Sequence, residues 1–432
     1  MKQWDSSMAL QQTIKLNYGK KEIKLQIDEK NILSILSEIK TTILTDPFSK
    51  LEDLLNKPMA SLSLHQLIKK KSAKKVLIIV NDITRPTPYD VILPPLLAKL
   101  EQAAGIKKDK ILFMIATGAH RGNTQEENIK IFGKEFVSSY NFINHSCDKN
   151  LLDLGQLASG NRLLVDSIIK EVDFIITTGV IVPHYIAGFS GGRKSILPGI
   201  CGKETIEKNH ANMIHPNAVT GNITKNPVHE EMTEAAKRVG VDFNINVITD
   251  KDENIIDIVA GDLFLSWDKG VEICKNTYFV PIKQKKEVVI VSAGGYPKDI
   301  NMYQAQKALD NAYHAVKPGG TIILLAECEE GFGNAVFEKW IEEANSIEDI
   351  ENRLKKRFIL GGHKAYAITK VAKQVDIILI SSLSAGQVKK MFMTPVDDIN
   401  QALDQIKCKH GYHFRCYMMP LGSNVVPYFY KE

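Results

Sequence analysis

A glycine-rich segment flanked by histidines is the part of this sequence with the clearest chemical potential. Residues 183–210 read PHYIAGFSGGRKSILPGICGKETIEKNH. A glycine pair lets backbone N–H groups approach a phosphate closely, and two adjacent cations add positive charge. Imidazoles coordinate divalent metals and transfer protons near neutral pH. The segment therefore predicts half of a catalytic site with an anionic ligand. Its candidate residues are His184, Gly191, Gly192, Arg193, Lys194 and His210.

Each of these residues also has an ordinary structural explanation, because glycine pairs mark turns and single histidines often serve as hydrogen-bonded structural residues. No pair of histidines with diagnostic metal-site spacing and no C-x-x-C motif identifies a metal. The case for a site rests on three further polar clusters. These are DITRPTP with Asp82, Ile83, Thr84 and Arg85; ATGAHRG with His120; and MYQAQKAL with Gln304 and Lys307.

The elements that must position these clusters follow an α/β pattern with mostly parallel sheets, since short β-branched runs alternate with helical periodicity. An antiparallel hairpin is predicted at 13–27. Strands are predicted at 75–80, 111–115, 174–178 and 244–249. The first three lead into polar clusters, and open α/β sheets bind ligands at the carboxyl ends of strands.

A smaller second α/β domain is predicted from residue 283, with a helix starting near residue 300 that places Gln304 and Lys307 on one face. Its strands are predicted at 288–292, 321–325 and 377–381. The expected division is 1–282 for the N-terminal domain and 283–410 for the C-terminal domain. The aromatic tail 411–432 is expected to pack back on the first domain. The active site is expected in the cleft between the domains.

Composition limits the class of protein. The 432 residues are 44% hydrophobic and 24% charged, which is typical of a soluble globular protein with two domains. The net charge of +5 comes from short, scattered lysine runs and not from one basic face, so no nucleic-acid partner is predicted. The six cysteines form no C-x-x-C, and no signal sequence or membrane span is evident. We therefore expect a cytoplasmic protein with reduced thiols.

The motif order DxTRP, TGxHR, PHYxAGFSGGRK…PG…NH and GGYPxD…YQxxK, over about residues 80–310, resembles the nickel-dependent lactate racemase family. Members of that family racemise or epimerise 2-hydroxy acids. The resemblance implies an isomerase that carries nickel and a pyridinium-3,5-bisthiocarboxylic acid mononucleotide, the nickel-pincer nucleotide. It also implies cofactor biosynthesis proteins as activation partners.

The resemblance assigns roles to residues that match the motifs. Lys194 corresponds to the lysine that holds the cofactor covalently, and His210 to the histidine that completes nickel coordination. His120 and His184 correspond to two catalytic bases. The segment 82–85 corresponds to cofactor contacts, with Arg85 also near the substrate, while Gln304 and Lys307 correspond to residues that grip the substrate carboxylate.

The implied reaction removes the hydroxyl proton and the α-hydride together, gives a 2-keto acid, and returns hydride to the other face. Two alternatives remain open. One is a zinc hydrolase with His120, His184 and His210 as three ligands, and the other is a non-catalytic protein that binds an anionic nucleotide. An enzyme using free NAD is disfavoured, because no G-x-G-x-x-G follows the first strand. The sequence does not distinguish lactate, malate, 2-hydroxyglutarate, phenyllactate or a sugar acid.

Overall fold

The computed structural model describes residues 11–429, which divide into two α/β units. One unit comprises residues 40–277, and the other joins residues 11–39 to 278–429. Both contain a six-stranded sheet with helices, as the alternating sequence pattern predicts. Residues 1–10 and 430–432, at the two ends of the predicted domain ranges, lie outside the described residues.

The chain begins with the predicted hairpin. Strands β1 (Gln11–Tyr18) and β2 (Lys21–Asp28) pair antiparallel, and Gly19 in the turn has φ +53°. Alternate apolar side chains of the hairpin, including Leu16 and Leu25, are buried in the core of the second unit. Strand β3 (Ile32–Ile35) then joins the edge of that unit's sheet.

The sheet of the 40–277 unit has the strand order β13-β12-β9-β4-β5-β6, parallel except for β13. All four strands predicted for this region form, and the central ones are buried on both faces. The strands are β4 (Val76–Asn81), β5 (Ile111–Ala116), β6 (Asn141–Asn144), β7 (Leu151–Gln156), β8 (Arg162–Asp166), β9 (Phe174–Ile181), β10 (Pro183–His184), β11 (Gly188–Phe189), β12 (Phe243–Thr249) and β13 (Ile255–Gly261). Pairs β7–β8 and β10–β11 are separate antiparallel hairpins.

Four helices of this unit, α1, α2, α4 and α7, begin at a side-chain cap. Asn226 accepts the backbone N–H groups of Val228 and His229 at the start of α7, and Gly240 ends that helix in the left-handed conformation. The helices are α1 (Pro47–Asn56), α2 (Leu64–Lys71), α3 (Tyr89–Ala98), α4 (Gln125–Phe132), α5 (Lys134–Ser139), α6 (Lys203–Ala211), α7 (Pro227–Val239) and α8 (Leu263–Tyr278).

The sheet of the second unit is parallel throughout, with the order β18-β17-β16-β15-β19-β3. The strands of this unit after β3 are β14 (Phe279–Ile282), β15 (Lys286–Ser292), β16 (Val316–Leu325), β17 (Asp376–Ile380), β18 (Thr394–Val396), β19 (Cys416–Met419) and β20 (Val426–Phe429). Strands β14 and β20 form a separate parallel pair. Its helices are α9 (Met302–Tyr313), α10 (Ala335–Glu343), α11 (Ile347–Lys356), α12 (Gly362–Ala372), α13 (Ala385–Lys390) and α14 (Ile399–His410). None of the helices within residues 11–429 is both long enough and apolar enough to cross a membrane.

The C-terminal segment is placed differently from the prediction. Strand β19 pairs with β15 and β3, and β20 pairs with β14, so residues 416–429 belong to the second unit and not to the first. The same unit takes the N-terminal hairpin, which the prediction gave to residues 1–282. The tail joins this unit because β15 would otherwise leave one edge unpaired, and a local sequence pattern does not show an open edge. The hairpin joins it because Leu16 and Leu25 are buried in the core of this unit.

Candidate active site

Three polar loops lie at one edge of the sheet in the 40–277 unit. Strands β9, β4 and β5 are parallel neighbours, so their carboxyl ends meet at the same edge. Asp82 directly follows β4, while His120 and His184 lie just beyond β5 and β9. The chain passes from β4 to β5 on one side and later returns to β9 on the other. This edge is therefore the switch point of the sheet, where ligands bind in open α/β folds.

Asp82 and His120 form a hydrogen-bonded pair across two of these loops. The carboxylate Oδ2 lies 2.7 Å from the imidazole Nδ1, and Oδ1 accepts the backbone N–H and the hydroxyl of Thr84 at 3.1 and 2.7 Å. Burial alone would raise the pKa of Asp82, but the hydrogen bonds from His120 and Thr84 outweigh it and lower the pKa. An ionised Asp82 fixes the proton of His120 on Nδ1 and leaves the lone pair on Nε2, as a general base requires.

The other residues of the 82–85 segment differ in hydrogen bonding and exposure. The backbone N–H of Ile83 donates to Asn123 Oδ1 at 3.2 Å, and Thr84 is engaged with Asp82. Arg85 is exposed, and its charge contributes to lowering the pKa values of His184, Lys194 and His210. Arg85 is thus the member of this segment that combines an accessible side chain with proximity to the other candidate residues.

His184 lies on the short hairpin β10–β11. Its Nδ1 accepts backbone N–H groups from Ala187 at 3.2 Å and Ile186 at 3.4 Å. Burial, followed by the charges of Lys194 and Arg85, holds the pKa of His184 well below its ordinary value. The ring is therefore neutral at pH 7, and this hydrogen-bond pattern places its proton on Nε2.

The glycine pair is required by the backbone. Gly191 and Gly192 have φ values of +73° and +52°, a conformation that side chains disfavour. A Cβ atom would lie 2.8 Å from Ile181 Cγ1 at Gly191 and 2.7 Å from Trp267 Cδ1 at Gly192. The predicted tight glycine loop is therefore present, and it leads into the 3₁₀ turn Gly192–Ser195.

Lys194 is a buried amine, with 8% of its surface exposed. Burial, followed by the charges of Arg85 and Arg193, holds its pKa well below the ordinary value for lysine. Among residues 11–429, no carboxylate forms an ion pair with Nζ. A lysine with these properties is deprotonated more readily at neutral pH and can act as a nucleophile.

His210 lies in the last turn of α6. Its Nδ1 is 3.1 Å from the carbonyl oxygen of Ile206, which can only accept, so the proton is on Nδ1 and the lone pair on Nε2. Burial, followed by the charge of Lys194, lowers the pKa of His210 to about 3. Metal-binding histidines commonly donate the other ring nitrogen to a carbonyl in this way. His210 therefore fits the role of a metal ligand.

Arg193 is placed differently from the prediction that both cations supply charge to one ligand. Its guanidinium is 1% exposed, and Nη2 donates to the carbonyl of Ala187 at 2.8 Å while Nε donates to His229 Nδ1 at 3.1 Å. Sequence reasoning missed His229 as a partner of Arg193, because His229 lies 36 residues away on α7.

Gln304 and Lys307 lie on α9 of the other unit, as predicted. Asn301 caps the helix by accepting the backbone N–H of Gln304 at 3.1 Å. Both side chains are exposed, and their spacing of three residues places them on one helix face. Both side chains can therefore contact the same ligand at the surface of this unit.

Comparisons with known proteins identify the family of the chain. Residues 18–221 match the family described as Lactate racemase N-terminal domain, and residues 282–426 match Lactate racemase C-terminal domain. A lactate racemase of Thermoanaerobacterium thermosaccharolyticum is 34% identical over 426 residues, covering 96% of this chain and 98% of the relative. This chain belongs to the lactate racemase family.

Further relatives support the same assignment. A lactate racemase of Lactiplantibacillus plantarum is 31% identical over 96% of this chain and 99% of its own length. The lactate racemase apoprotein structure from T. thermosaccharolyticum superimposes with a TM-score of 0.87 at 31% identity, over 96% of this chain and 100% of that one. A Thermotoga maritima protein, with a TM-score of 0.60 and 18% identity, shares the fold. Like the named family members, this chain is an isomerase of the racemase class.

Proposed function

We propose that this lactate racemase family member racemises a 2-hydroxy acid through a 2-keto acid, with lactate as the first substrate to test. The named relatives support lactate. The observation that carries the proposal is the environment of Lys194, a buried amine of lowered pKa that has no ion-pair partner among the described residues. Its positive charge is one cause of the lowered pKa values of His184 and His210. A lysine that served only to solubilise the surface would be exposed, whereas Lys194 is buried.

Lys194 and His210 would hold the nickel-pincer nucleotide. The amine of Lys194 suits a covalent attachment, and Nε2 of His210 suits one coordination position on nickel, to which imidazole and sulfur ligands are both appropriate. Asp82, Ile83, Thr84, Gly191 and Gly192 would line the nucleotide. When bound, this group would supply a site that accepts the α-hydride of the substrate and returns it. The cofactor would come from biosynthesis proteins in the cytoplasm.

His120 would take the substrate hydroxyl proton on Nε2. The imidazolium so formed keeps its Nδ1 proton and donates it in the hydrogen bond to Asp82. Because the pKa of Asp82 is lowered, its carboxylate stays ionised and stabilises the new positive charge. Asp82 therefore has a second role besides the cofactor contact that the resemblance implies.

His184 would serve the opposite enantiomer, whose hydroxyl points the other way. Its lowered pKa keeps it neutral and able to accept a proton at pH 7, but its partners are backbone N–H groups and not a carboxylate. To accept on Nε2, the ring must move its proton to Nδ1 and give up these weak backbone hydrogen bonds. The two bases are thus chemically unequal.

Arg85, Gln304 and Lys307 would hold the substrate carboxylate. Arg85 offers a planar pair of donors, and Lys307 adds a point charge. Holding the carboxylate fixes C2 relative to the two histidines, which is the orientation that a hydride transfer needs. The keto acid would turn about the bond between C1 and C2 while its carboxylate stays bound.

Intact mass spectrometry and nickel analysis of protein co-expressed with cofactor biosynthesis proteins would test the proposal, with wild type compared to Lys194→Ala. We expect one added nucleotide mass and stoichiometric nickel in the wild type, neither in the variant, and lactate racemisation in the wild type alone. Lys208→Ala, an exposed lysine paired with Glu204, is the matched control and should behave as wild type.

The alternatives predict different results. A zinc hydrolase would bind zinc without added mass, and a nucleotide-binding protein would take a ligand without turnover. Within residues 11–429, no three His, Cys, Asp or Glu side chains are arranged to hold one metal ion, which does not support a three-histidine zinc site. Added mass without lactate turnover would instead direct a screen to malate, 2-hydroxyglutarate, phenyllactate and sugar acids.

A further inference from the structure

The two adjacent cations of the glycine loop face different surroundings. Lys194 has no ion-pair partner among the described residues, whereas the guanidinium of Arg193 is surrounded by hydrogen-bond acceptors of its own loop. Nη2 donates to the Ala187 carbonyl at 2.8 Å, and Nη1 lies 3.3 and 3.4 Å from the carbonyls of Gly191 and Ser190. Because these donors are used and the side chain is 1% exposed, Arg193 is poorly placed to contact a phosphate.

Trp267 of α8 forms a platform under the same guanidinium. The guanidinium carbon of Arg193 lies 3.9 Å from the ring centroid, and Trp267 Nε1 donates to the Ser190 carbonyl at 2.8 Å. The ring of His229 stacks on Trp267 at 5.5 Å and accepts from Arg193 Nε. Helices α7 and α8 therefore both hold the loop.

The platform also limits the backbone immediately before Lys194. Trp267 leaves no room for a Cβ on Gly192, and the N–H of Gly192 donates to Asn246 Oδ1 at 3.0 Å. The backbone N–H of Lys194 then donates to the Gly191 carbonyl at 3.1 Å, which closes the 3₁₀ turn. The backbone that leads into Lys194 is thus held by Trp267, by Asn246 and by the hydrogen bond of the 3₁₀ turn.

We propose that Arg193 and Trp267 are positioning residues that hold Lys194 in the orientation needed for cofactor attachment, and that Arg193 makes no contact with the cofactor. This inference rests on the proposed attachment at Lys194. The arrangement explains why a charged residue is buried here: a guanidinium can join three carbonyls and an imidazole at once, and it stacks on an indole. Lysine has neither the planar fork nor the stacking face.

Two substitutions separate positioning from ligand contact. Trp267→Phe keeps an aromatic face but removes the donor to Ser190, and Arg193→Lys keeps the charge but removes the fork. Trp340→Phe, at a buried tryptophan of α10, is the matched control. The first readout is acetylation of Lys194 by acetic anhydride in full-length protein made without the cofactor, followed by peptide mass spectrometry with Lys269 as internal reference. The second readout is the cofactor occupancy of Lys194 after co-expression.

If the loop is held as described, both variants acetylate Lys194 at least about fivefold faster and load about tenfold less cofactor, because loosening a supporting shell misplaces the reactive group. Trp340→Phe should match wild type in both.

If Arg193 contacts the cofactor instead, Arg193→Lys loads poorly with unchanged acetylation and Trp267→Phe behaves as wild type, which overturns the proposal. Should Arg193→Lys not fold, Trp267→Phe decides alone. Unmodified wild type after co-expression contradicts the proposed function, whereas unchanged acetylation in both variants contradicts this inference.

Discussion

Asp82 and His120 follow the neighbouring parallel strands β4 and β5, and a hydrogen bond of 2.7 Å joins Asp82 Oδ2 to His120 Nδ1. The other candidate base, His184, accepts backbone N–H groups on its Nδ1. A carboxylate partner orients an imidazole and stabilises its protonated form, whereas a backbone N–H stabilises only the neutral ring. The proposed site is therefore asymmetric, although a racemase acts on two mirror-image substrates.

Asp82→Asn tests this relationship directly. The amide can donate to Nδ1 and so move the His120 proton to Nε2, which removes the base. We expect kcat/KM to fall roughly 10²- to 10⁴-fold, measured by the optical rotation of lactate. The fall must be equal in both directions because the two enantiomers have the same free energy.

Asp90→Asn is the matched control, since Asp90 is an exposed aspartate on the following helix α3. It should leave the rate unchanged. A fall of less than threefold in Asp82→Asn, at wild-type cofactor occupancy, would mean that Asp82 does not orient the base.

Much of this architecture could be predicted from sequence. Continuous apolar runs such as 76–80 and 111–115 indicate strands buried on both faces, and they formed where expected. The polar residues that follow them were expected at one sheet edge, and parallel neighbours bring them there. The glycine loop and the face of α9 with Gln304 and Lys307 also formed as predicted.

The parts that sequence did not predict depend on contacts between distant segments. Nothing local indicates that Asp82 pairs with His120, 38 residues away, or that Trp267 lies beneath Arg193. The prediction for the tail is wrong for the same reason. The sequence of Cys416–Met419 is compatible with either sheet, and only the structure shows that this strand pairs with the edge of β15. Strand periodicity reports burial, not the neighbour that provides it.

His210→Ala should separate nickel binding from cofactor attachment. The covalent link is proposed on Lys194, so the variant should keep the nucleotide mass but hold nickel more weakly, by roughly 10- to 100-fold. Intact mass and metal analysis after dialysis against a chelator measure both. His215→Ala, an exposed histidine a few residues further on, should retain nickel as wild type does. Equal nickel retention in His210→Ala would exclude it as a ligand.

Lys307→Ala should impair substrate binding and leave the cofactor in place. Loss of one charged hydrogen bond to a carboxylate costs about 1.5–3 kcal/mol, which corresponds to roughly a 10- to 100-fold fall in kcat/KM. Lys389→Ala, an exposed lysine on α13 of the same unit, serves as control. Loss of nickel from Lys307→Ala would contradict the separation of the two roles.

His229→Gln should reduce the sensitivity of the fold to acid. Burial, followed by the charge of Arg193, lowers the pKa of His229 to about 3. Between an ordinary pKa of about 6.5 and this value, the unfolded chain binds a proton that the folded chain does not, so stability falls as pH falls through that window. By pH 5 this amounts to up to about 2 kcal/mol. Glutamine cannot be protonated and can still accept from Arg193.

The drop in melting temperature from pH 7 to pH 5 should therefore be smaller in His229→Gln than in wild type. His413→Gln, which removes an exposed histidine, should show the wild-type drop. An identical drop in all three proteins would show that His229 is not a source of acid sensitivity.

Gly192→Ala tests whether contact with Trp267 or backbone conformation alone demands glycine. Gly160 is a suitable comparison because it also has a positive φ, +83°, but its Cβ position is open within 4 Å. Gly160→Ala should cost only the strain of a left-handed residue, about 1 kcal/mol. Gly192→Ala adds a clash with a buried indole ring 2.7 Å away, so we expect it to cost a further ~1–3 kcal/mol in urea unfolding and to reduce cofactor loading. Equal destabilisation of the two variants would mean that the indole yields to the methyl group and does not fix the loop.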